Sequence, residues 1–114
     1  MISFISNNSL SSKSNYEKIK QQIDIENLCD FWIAETWTAN NDIVNTRYFS
    51  HPDVDGGKWK FIFYDLDYGF YNVNKNYYQF STSSYGMTVN GYSTFLLRNL
   101  MKNNFINKLA PVHV

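Results

Sequence analysis

The sequence predicts a single α+β domain with a central helix, an antiparallel β-hairpin and a C-terminal pair of helices. Three observations support this fold class. Apolar residues recur at helical spacing from Ile25 onward, two apolar stretches flank a turn-forming linker, and a Leu-rich amphipathic stretch follows Ser93. The chain has 114 residues, which suits one small domain, and its 44% of apolar residues supply a hydrophobic core.

The first 15 residues are predicted to be a loop or a disordered segment, because residues 7–14 are rich in Ser and Asn. Ser14 is followed three residues later by Glu17, and this spacing fits a capping box. The pattern predicts a short helix that begins there and ends near Ile23.

The central helix is predicted to extend from Ile25 to about Ala39. Asp24 is a favoured N-cap residue, and the apolar residues after it have helical spacing. They are Ile25, Leu28, Cys29, Trp32, Ile33 and Trp37, with Thr36 as a weaker member. The aromatic side chains of this helix are expected to pack in the core. Cys29 is the single cysteine, so no disulfide can form within the chain, and we expect a buried thiol.

A β-hairpin is predicted from two strands, residues 46–50 and 58–64. The linker between them contains Pro52 and an Asp-Gly pair, which are typical of turns. Aromatic residues at positions 59, 61 and 63 share one face of the second strand, since alternate residues point to the same side.

The C-terminal part is predicted to contain a long loop and two helices. Residues 71–90 lack a periodic pattern, and loops of this length in compact domains are usually functional or mobile. Ser93 is predicted to cap an amphipathic helix. The second helix is predicted at residues 105–109 and stops before Pro111, so that residues 111–114 form a tail.

Two carboxylates, Asp65 and Asp67, directly follow the apolar second strand. In an extended backbone their Cα atoms would be about 7 Å apart and their side chains would point to the same side. Such a pair repels unless a cation, a proton or solvent intervenes. Mg²⁺ is typically held by one or two carboxylates together with substrate phosphates, and Asp67-Tyr68-Gly69 has the form of the kinase Asp-Phe-Gly element. A solvated turn without metal is the alternative.

A second candidate segment, residues 40–45, lies between the central helix and the first strand. In kinase-like enzymes an Asp at such a place orients the acceptor hydroxyl, and an Asn a few residues later holds metal. Asp42 and Asn45 have the matching residue types, with a spacing of three where protein kinases have five. An ordinary turn at the helix C-terminus is the alternative, because Asn and Asp tolerate left-handed backbone geometry.

These segments, in this order, resemble the CotH family of spore-coat and secreted kinase-like proteins. The matching segments are residues 24–27, 31–35, 40–42, 58–70, 93–100 and 105–106, of which 58–70 is the most specific. The resemblance implies a kinase-like domain over residues 16–110 that forms part of a protein-kinase-like C-lobe. It also implies phosphate transfer from ATP to protein Ser/Thr hydroxyls with Mg²⁺ or Mn²⁺, in a spore coat or outside the cell.

The resemblance assigns roles by position. Asp42 would orient or deprotonate the acceptor, whereas Asn45, Asp65 and Asp67 would hold the metal and, through it, the nucleotide. Which of Asp65 and Asp67 is the principal ligand stays open. No Gly-rich phosphate loop and no strand Lys with a partner Glu precedes them, so we expect little or no activity from this chain alone. An N-lobe or self-association is expected to cover its exposed apolar surface.

Composition argues against other classes of function. Ten basic residues balance ten acidic ones, whereas nucleic-acid binders usually carry a basic excess. No stretch approaches the ~20 apolar residues that span a bilayer, and residues 1–8 do not resemble a signal peptide. We therefore expect neither nucleic acid nor membrane as partner, whereas the resemblance implies a protein substrate. Two alternatives remain: a structural or interaction module of a coat or wall protein, and a calcium- or carbohydrate-binding module. The calcium site would use Asp53, Asp55, Asp65 and Asp67.

Overall fold

A computed structural model describes residues 1–40, 46–67, 69–72, 74, 76–82 and 95–103. Within these ranges the chain forms five α-helices and one two-stranded antiparallel sheet, which agrees with the mixed α+β content and the hairpin predicted from the sequence. The elements in order are α1 (Ile2–Asn7), α2 (Lys13–Lys20), α3 (Ile25–Thr38), β1 (Arg47–Phe49), β2 (Lys60–Ile62), α4 (Tyr77–Thr82) and α5 (Phe95–Leu100). None of the described helices has the length and apolar character needed to cross a bilayer.

The structure confirms the predicted bounds and N-cap of the central helix α3, and Phe31 and Trp32 are buried as expected. Trp37, which was also expected in the core, is instead exposed, because it lies on a different face of the helix from the buried residues.

The N-cap of α3 is Asp24, whose side chain accepts a hydrogen bond from the backbone N–H of Asn27 at 3.0 Å. It ends at Ala39, which has a left-handed φ of 49°. Ala39 N–H donates to Thr36 O, and the next N–H, of Asn40, donates to Glu35 O. These two bonds form a Schellman motif, which usually has Gly at the left-handed position.

The amino-terminal region differs from the predicted loop. Residues 2–7 form α1, and α2 begins at Lys13 with Ser12, rather than Ser14, as its N-cap. Ile5 and Leu10 are buried, and Leu10 is fully enclosed. These two apolar residues hold the polar segment against the core, because their burial offsets the cost of ordering the Ser and Asn residues around them.

The core lies where α1, α2, α3 and the two C-terminal helices α4 and α5 meet. Its buried hydrophobic members among the described residues are Ile5, Leu10, Tyr16, Ile19, Ile23, Ile25, Leu28, Cys29, Phe31, Trp32, Tyr77, Leu97 and Leu100. The thiol of Cys29 is buried, as predicted. Burial, followed by the nearby charges of Asp30 and Glu26, raises the pKa of this thiol to about 11, which makes it a poor nucleophile.

The hairpin pairs β1 with β2 in an antiparallel register that places Tyr48 opposite Phe61. Both strands are shorter than predicted, with three residues each. The ring of Phe61 lies 5.2 Å from that of Phe31, so the hairpin packs on α3 through this aromatic contact. An isolated parallel bridge between Ile23 and Trp59 adds a second contact with the start of α3.

The stretch predicted as a long loop contains helix α4. Asn76 Oδ1 accepts a hydrogen bond from Gln79 N–H at 3.0 Å, which is an N-capping interaction. Tyr77, the first residue of α4, is almost fully buried. Helix α5 confirms the predicted amphipathic helix, whereas its predicted cap at Ser93 and the predicted last helix at 105–109 lie outside the described residues.

Candidate functional site

Asp65 and Asp67 lie on the loop that follows β2, here called the 65–70 loop (residues 65–70, with Tyr68 outside the described residues). Both carboxylate residues are exposed. Asp65 has a φ of 58°, so the prediction of an extended backbone through this residue is wrong. Asp is one of the few residue types that adopts this left-handed geometry at moderate cost. The chain therefore turns at Asp65 itself, and β2 ends before it.

The 65–70 loop closes onto the carboxyl end of α3. Leu66 O accepts a hydrogen bond from Gly69 N–H at 2.8 Å, and Phe70 N–H donates to Thr38 O at 2.5 Å. A Cβ atom at Gly69 would lie 3.0 Å from Leu66 O and 3.4 Å from Thr38 Cβ and Thr38 O. Glycine suits this position because a Cβ would be crowded where the backbone approaches the helix end.

Phe70 is held in a strained backbone conformation. Its φ is 57°, which is uncommon for a bulky residue. Its ring meets that of Trp37 edge to face at a centroid distance of 5.1 Å, and its N–H donates to Thr38 O. Strained residues held by their surroundings cluster at functional sites, so this geometry marks the 65–70 loop as a candidate site.

The contact with Thr38 joins the 65–70 loop to the end of α3, the helix that precedes the predicted segment 40–45 in the sequence. Thr38 precedes Asp42 by four residues in the sequence. Phe70 follows Asp67 by three residues and is joined to Thr38 by a hydrogen bond. Asp42 and Asn45 themselves lie outside the described residues, and their roles stay predictions.

The amino-terminal part of α3 binds β2, the strand that precedes the 65–70 loop. Asn27 Oδ1 accepts from Phe61 N–H at 2.6 Å, and Asn27 Nδ2 donates to Phe61 O at 3.2 Å. Both backbone groups of Phe61 thus point away from β1 and toward α3, and the Asn27 amide takes the place of a neighbouring strand. Asp24 N–H also donates to Trp59 O, and Trp59 N–H donates to Gln22 O.

A partly buried ion pair stabilises the same junction. Lys60 Nζ bonds to Asp24 Oδ2 and lies 3.2 Å from Asp55 Oδ2. Burial disfavours the charged form of Asp24, but the N–H of Asn27 and the ammonium of Lys60 outweigh it, and the pKa of Asp24 lies below its usual range. Hydrogen bonds to Asp24 and Asp55 raise the pKa of Lys60.

This ion pair predicts a loss of stability in acid. A carboxyl whose pKa is lowered by folding binds its proton more readily in the unfolded chain, so protonation favours unfolding. The stabilisation from Asp24 is present above the unfolded pKa of about 3.9 and is lost as the pH falls through the lower folded pKa. Asp24→Asn keeps a good N-cap but removes the ion pair. We expect the free energy of unfolding of this variant to be lower by about 1 kcal/mol at pH 7 and to fall less steeply as the pH is lowered.

Urea denaturation between pH 2.5 and 7 measures this effect. Asp53→Asn is the matched control, because Asp53 is exposed and its charge change is the same. If the free energy of unfolding fell equally steeply with pH in Asp24→Asn and in the original chain, the ion pair would not be the cause of the acid sensitivity.

A buried carboxylate that the sequence analysis did not single out lies close to these segments. Glu35 is only 4% exposed and belongs to α3, one turn before Thr38. Burial first, and then the charge of Glu35, raise the pKa of Tyr77 on α4. The signal for Glu35 was present, since it continues the buried helical positions of Leu28 and Phe31 at spacings of seven and four.

The calcium site that would use Asp53, Asp55, Asp65 and Asp67 is not formed by these residues. Asp53 lies 3.8 Å from His51, and Asp55 contacts Lys60. Among the described residues, no three His, Cys, Asp or Glu side chains gather closely enough to hold a metal ion. Asp42 lies outside the described residues, so this finding does not apply to a metal site that uses Asp42.

Comparison with known proteins gives one result. The family model described as CotH kinase protein matches residues 1–110. Neither the curated proteins nor the solved structures contain a significant match. The family match includes α3, residues 40–45 and the 65–70 loop, and it also includes α1, which the sequence resemblance left out. Because the match covers nearly the whole chain, this protein belongs to the CotH kinase family.

Proposed function

We propose that this chain supplies the metal-binding and acceptor-orienting part of an ATP-dependent protein phosphotransferase. The observation that carries the proposal is the hydrogen bond from Phe70 N–H to Thr38 O. It holds the loop with Asp65 and Asp67 against the helix end that leads to Asp42. Phosphoryl transfer depends on positioning and on charge stabilisation more than on covalent chemistry, so the placement of these groups is the main requirement.

In this proposal the chain's own groups divide the work. Asp65 and Asp67 are exposed oxygen donors between Phe61 and Phe70, which are both hydrogen-bonded to α3, and such donors suit Mg²⁺ or Mn²⁺. Asn45 adds an amide oxygen. Asp42 orients or deprotonates the acceptor Ser or Thr hydroxyl. A bound divalent cation would neutralise charge on the ATP phosphates. The family suggests a kinase-like fold and a spore-coat or extracellular setting for the activity.

Cation binding tests the proposal directly, by titrating Mn²⁺ into the chain with and without ATP and following free Mn²⁺ by electron paramagnetic resonance. We expect Asp65→Asn and Asp67→Asn each to weaken Mn²⁺ binding by roughly tenfold, which is about 1.4 kcal/mol. Asp53→Asn is the control, because it removes an equally exposed carboxylate from the hairpin linker. Unchanged Mn²⁺ binding in both site variants would refute the assigned roles.

A non-catalytic interaction module is the second candidate. Its support is the exposed aromatic surface beside the 65–70 loop, where Trp37 is 75% and Tyr71 74% exposed. Large exposed apolar side chains that lie together mark interaction sites. The two candidates differ in the Mn²⁺ titration, since an interaction module has no need of cation binding at Asp65 and Asp67.

A further inference from the structure

A polar cleft of about 500 Å³ lies between α1 and α5, on residues that the proposed phosphotransferase site does not use. The end of α1 and the turn after it contribute Ser and Asn side chains, and α5 and the turn after it contribute Arg98 and Lys102. Among the described residues that line it, none is acidic. Arg98 and Lys102 are therefore the only charged side chains among the described residues that line the cleft.

The two cations come from adjoining parts of the chain. Arg98 lies in α5 and Lys102 lies in the turn that follows it, and both line the cleft. Lys102 Nζ donates to Asn99 Oδ1 at 3.0 Å, and Asn99 Nδ2 donates to Phe95 O at 2.8 Å. Asn99 is only 8% exposed. A buried amide thus directs the ammonium of Lys102, which has three N–H donors, toward the cleft.

We propose that this cleft binds the phosphate group of a phosphorylated Ser or Thr side chain in a partner protein. A phosphomonoester carries about −1.5 to −2 charges and three acceptor oxygens, which match one guanidinium and one ammonium. A single carboxylate would neutralise only one of these cations. Ile5 and Phe95 add apolar lining that suits the residues beside the phosphorylated one.

The number of cations separates this partner from other anionic ones. A nucleic acid or a membrane surface needs an extended set of Lys and Arg side chains for useful affinity. The cleft presents two. The inference does not depend on the proposed phosphotransferase function, because it rests on a different surface of the chain.

Nuclear magnetic resonance titration of the ¹⁵N-labelled chain with a phosphoserine pentapeptide (Gly-Ala-phosphoSer-Ala-Gly, blocked ends) tests the inference. We expect amide shifts in α1 and α5, and a dissociation constant that increases roughly tenfold in Arg98→Gln and in Lys102→Gln. Arg98→Lys keeps the charge but loses the two-pronged geometry, so we expect a smaller increase. Lys58→Gln, on the hairpin, changes the net charge equally and should bind like the original chain.

Three further ligands complete the test: the unphosphorylated peptide, a single-stranded oligonucleotide and vesicles with anionic lipid. The proposal requires the phosphopeptide to bind at least tenfold more tightly than the unphosphorylated peptide, and with shifts confined to the cleft. Equal binding of the two peptides overturns it, as does an equal loss of affinity in Lys58→Gln. Absence of phosphopeptide binding, or cleft shifts caused only by the oligonucleotide or the vesicles, also overturns it.

Discussion

Asn27→Ala is expected to lower the free energy of unfolding by about 3 kcal/mol, measured by urea denaturation at pH 7. The substitution removes both hydrogen bonds to the backbone of Phe61, at 2.6 and 3.2 Å, and leaves a donor and an acceptor of a half-buried residue without these partners. Each such group costs about 1–3 kcal/mol, and the better helix propensity of Ala offsets only a few tenths.

Asn7→Ala is the matched control for this prediction. Asn7 also belongs to a helix, and its amide donates to the backbone oxygen of Ser3, but the bond is exposed and local. Loss of an exposed amide is expected to change stability by no more than about 0.5 kcal/mol. If Asn27→Ala and Asn7→Ala had the same effect, the Asn27 amide would not hold β2 on α3.

Gly69→Ala is expected to cost about 2 kcal/mol and to weaken Mn²⁺ binding at the 65–70 loop. The added methyl group would lie 3.0 Å from Leu66 O and 3.4 Å from Thr38, so the loop must move away from the helix end. That movement is expected to weaken the hydrogen bond from Phe70 N–H to Thr38 O and to shift the turn from Leu66 to Gly69, which contains Asp67. The Mn²⁺ titration and urea denaturation measure the two effects separately.

Gly56→Ala separates loop displacement from general destabilisation. Gly56 has a φ of 64°, so alanine is strained there by about 1–2 kcal/mol, but nothing lies within 4 Å of the added Cβ. It belongs to the hairpin linker and should leave Mn²⁺ binding unchanged. A normal Mn²⁺ affinity in Gly69→Ala would show that the close contact with Thr38 does not position the carboxylates.

Local patterns predicted the elements whose determinants are adjacent in sequence. Helix α3 has both its cap, Asp24, and its apolar spacing within 15 residues, and the structure confirms it. The hairpin was predicted from the turn-forming residues of its linker. The length of the second strand was not predictable from the sequence. The left-handed backbone at Asp65 does not change the alternation of apolar and polar residues. Helix α1 was missed because its anchors, Ile5 and Leu10, are sparse in a polar segment.

The sequence singles out the residues of the candidate site, whose roles stay predictions, but it does not predict the contacts that support the 65–70 loop. Asp65 and Asp67 stood out because they end an apolar strand. The partners of this segment on α3 are distant in sequence, with Asn27 and Phe61 separated by 34 residues, and no local period encodes such pairs. The same holds for the contact between Thr38 and Phe70. Two of the predicted site residues, Asp42 and Asn45, remain predictions because the described residues do not include them.

Because one helix binds both ends of the segment from Phe61 to Phe70, the helix also fixes how far apart those ends are. Asn27 and Thr38 are separated by about 16 Å along the axis of α3, whereas nine residues can span about 30 Å. The chain from Phe61 to Phe70 is therefore longer than the distance it spans requires. The 65–70 loop can accept insertions without disturbing either attachment. One residue added inside α3 would instead turn Thr38 by about 100° and shift it by about 1.5 Å. Evolutionary change in length should therefore be tolerated in the loop and rejected in the helix.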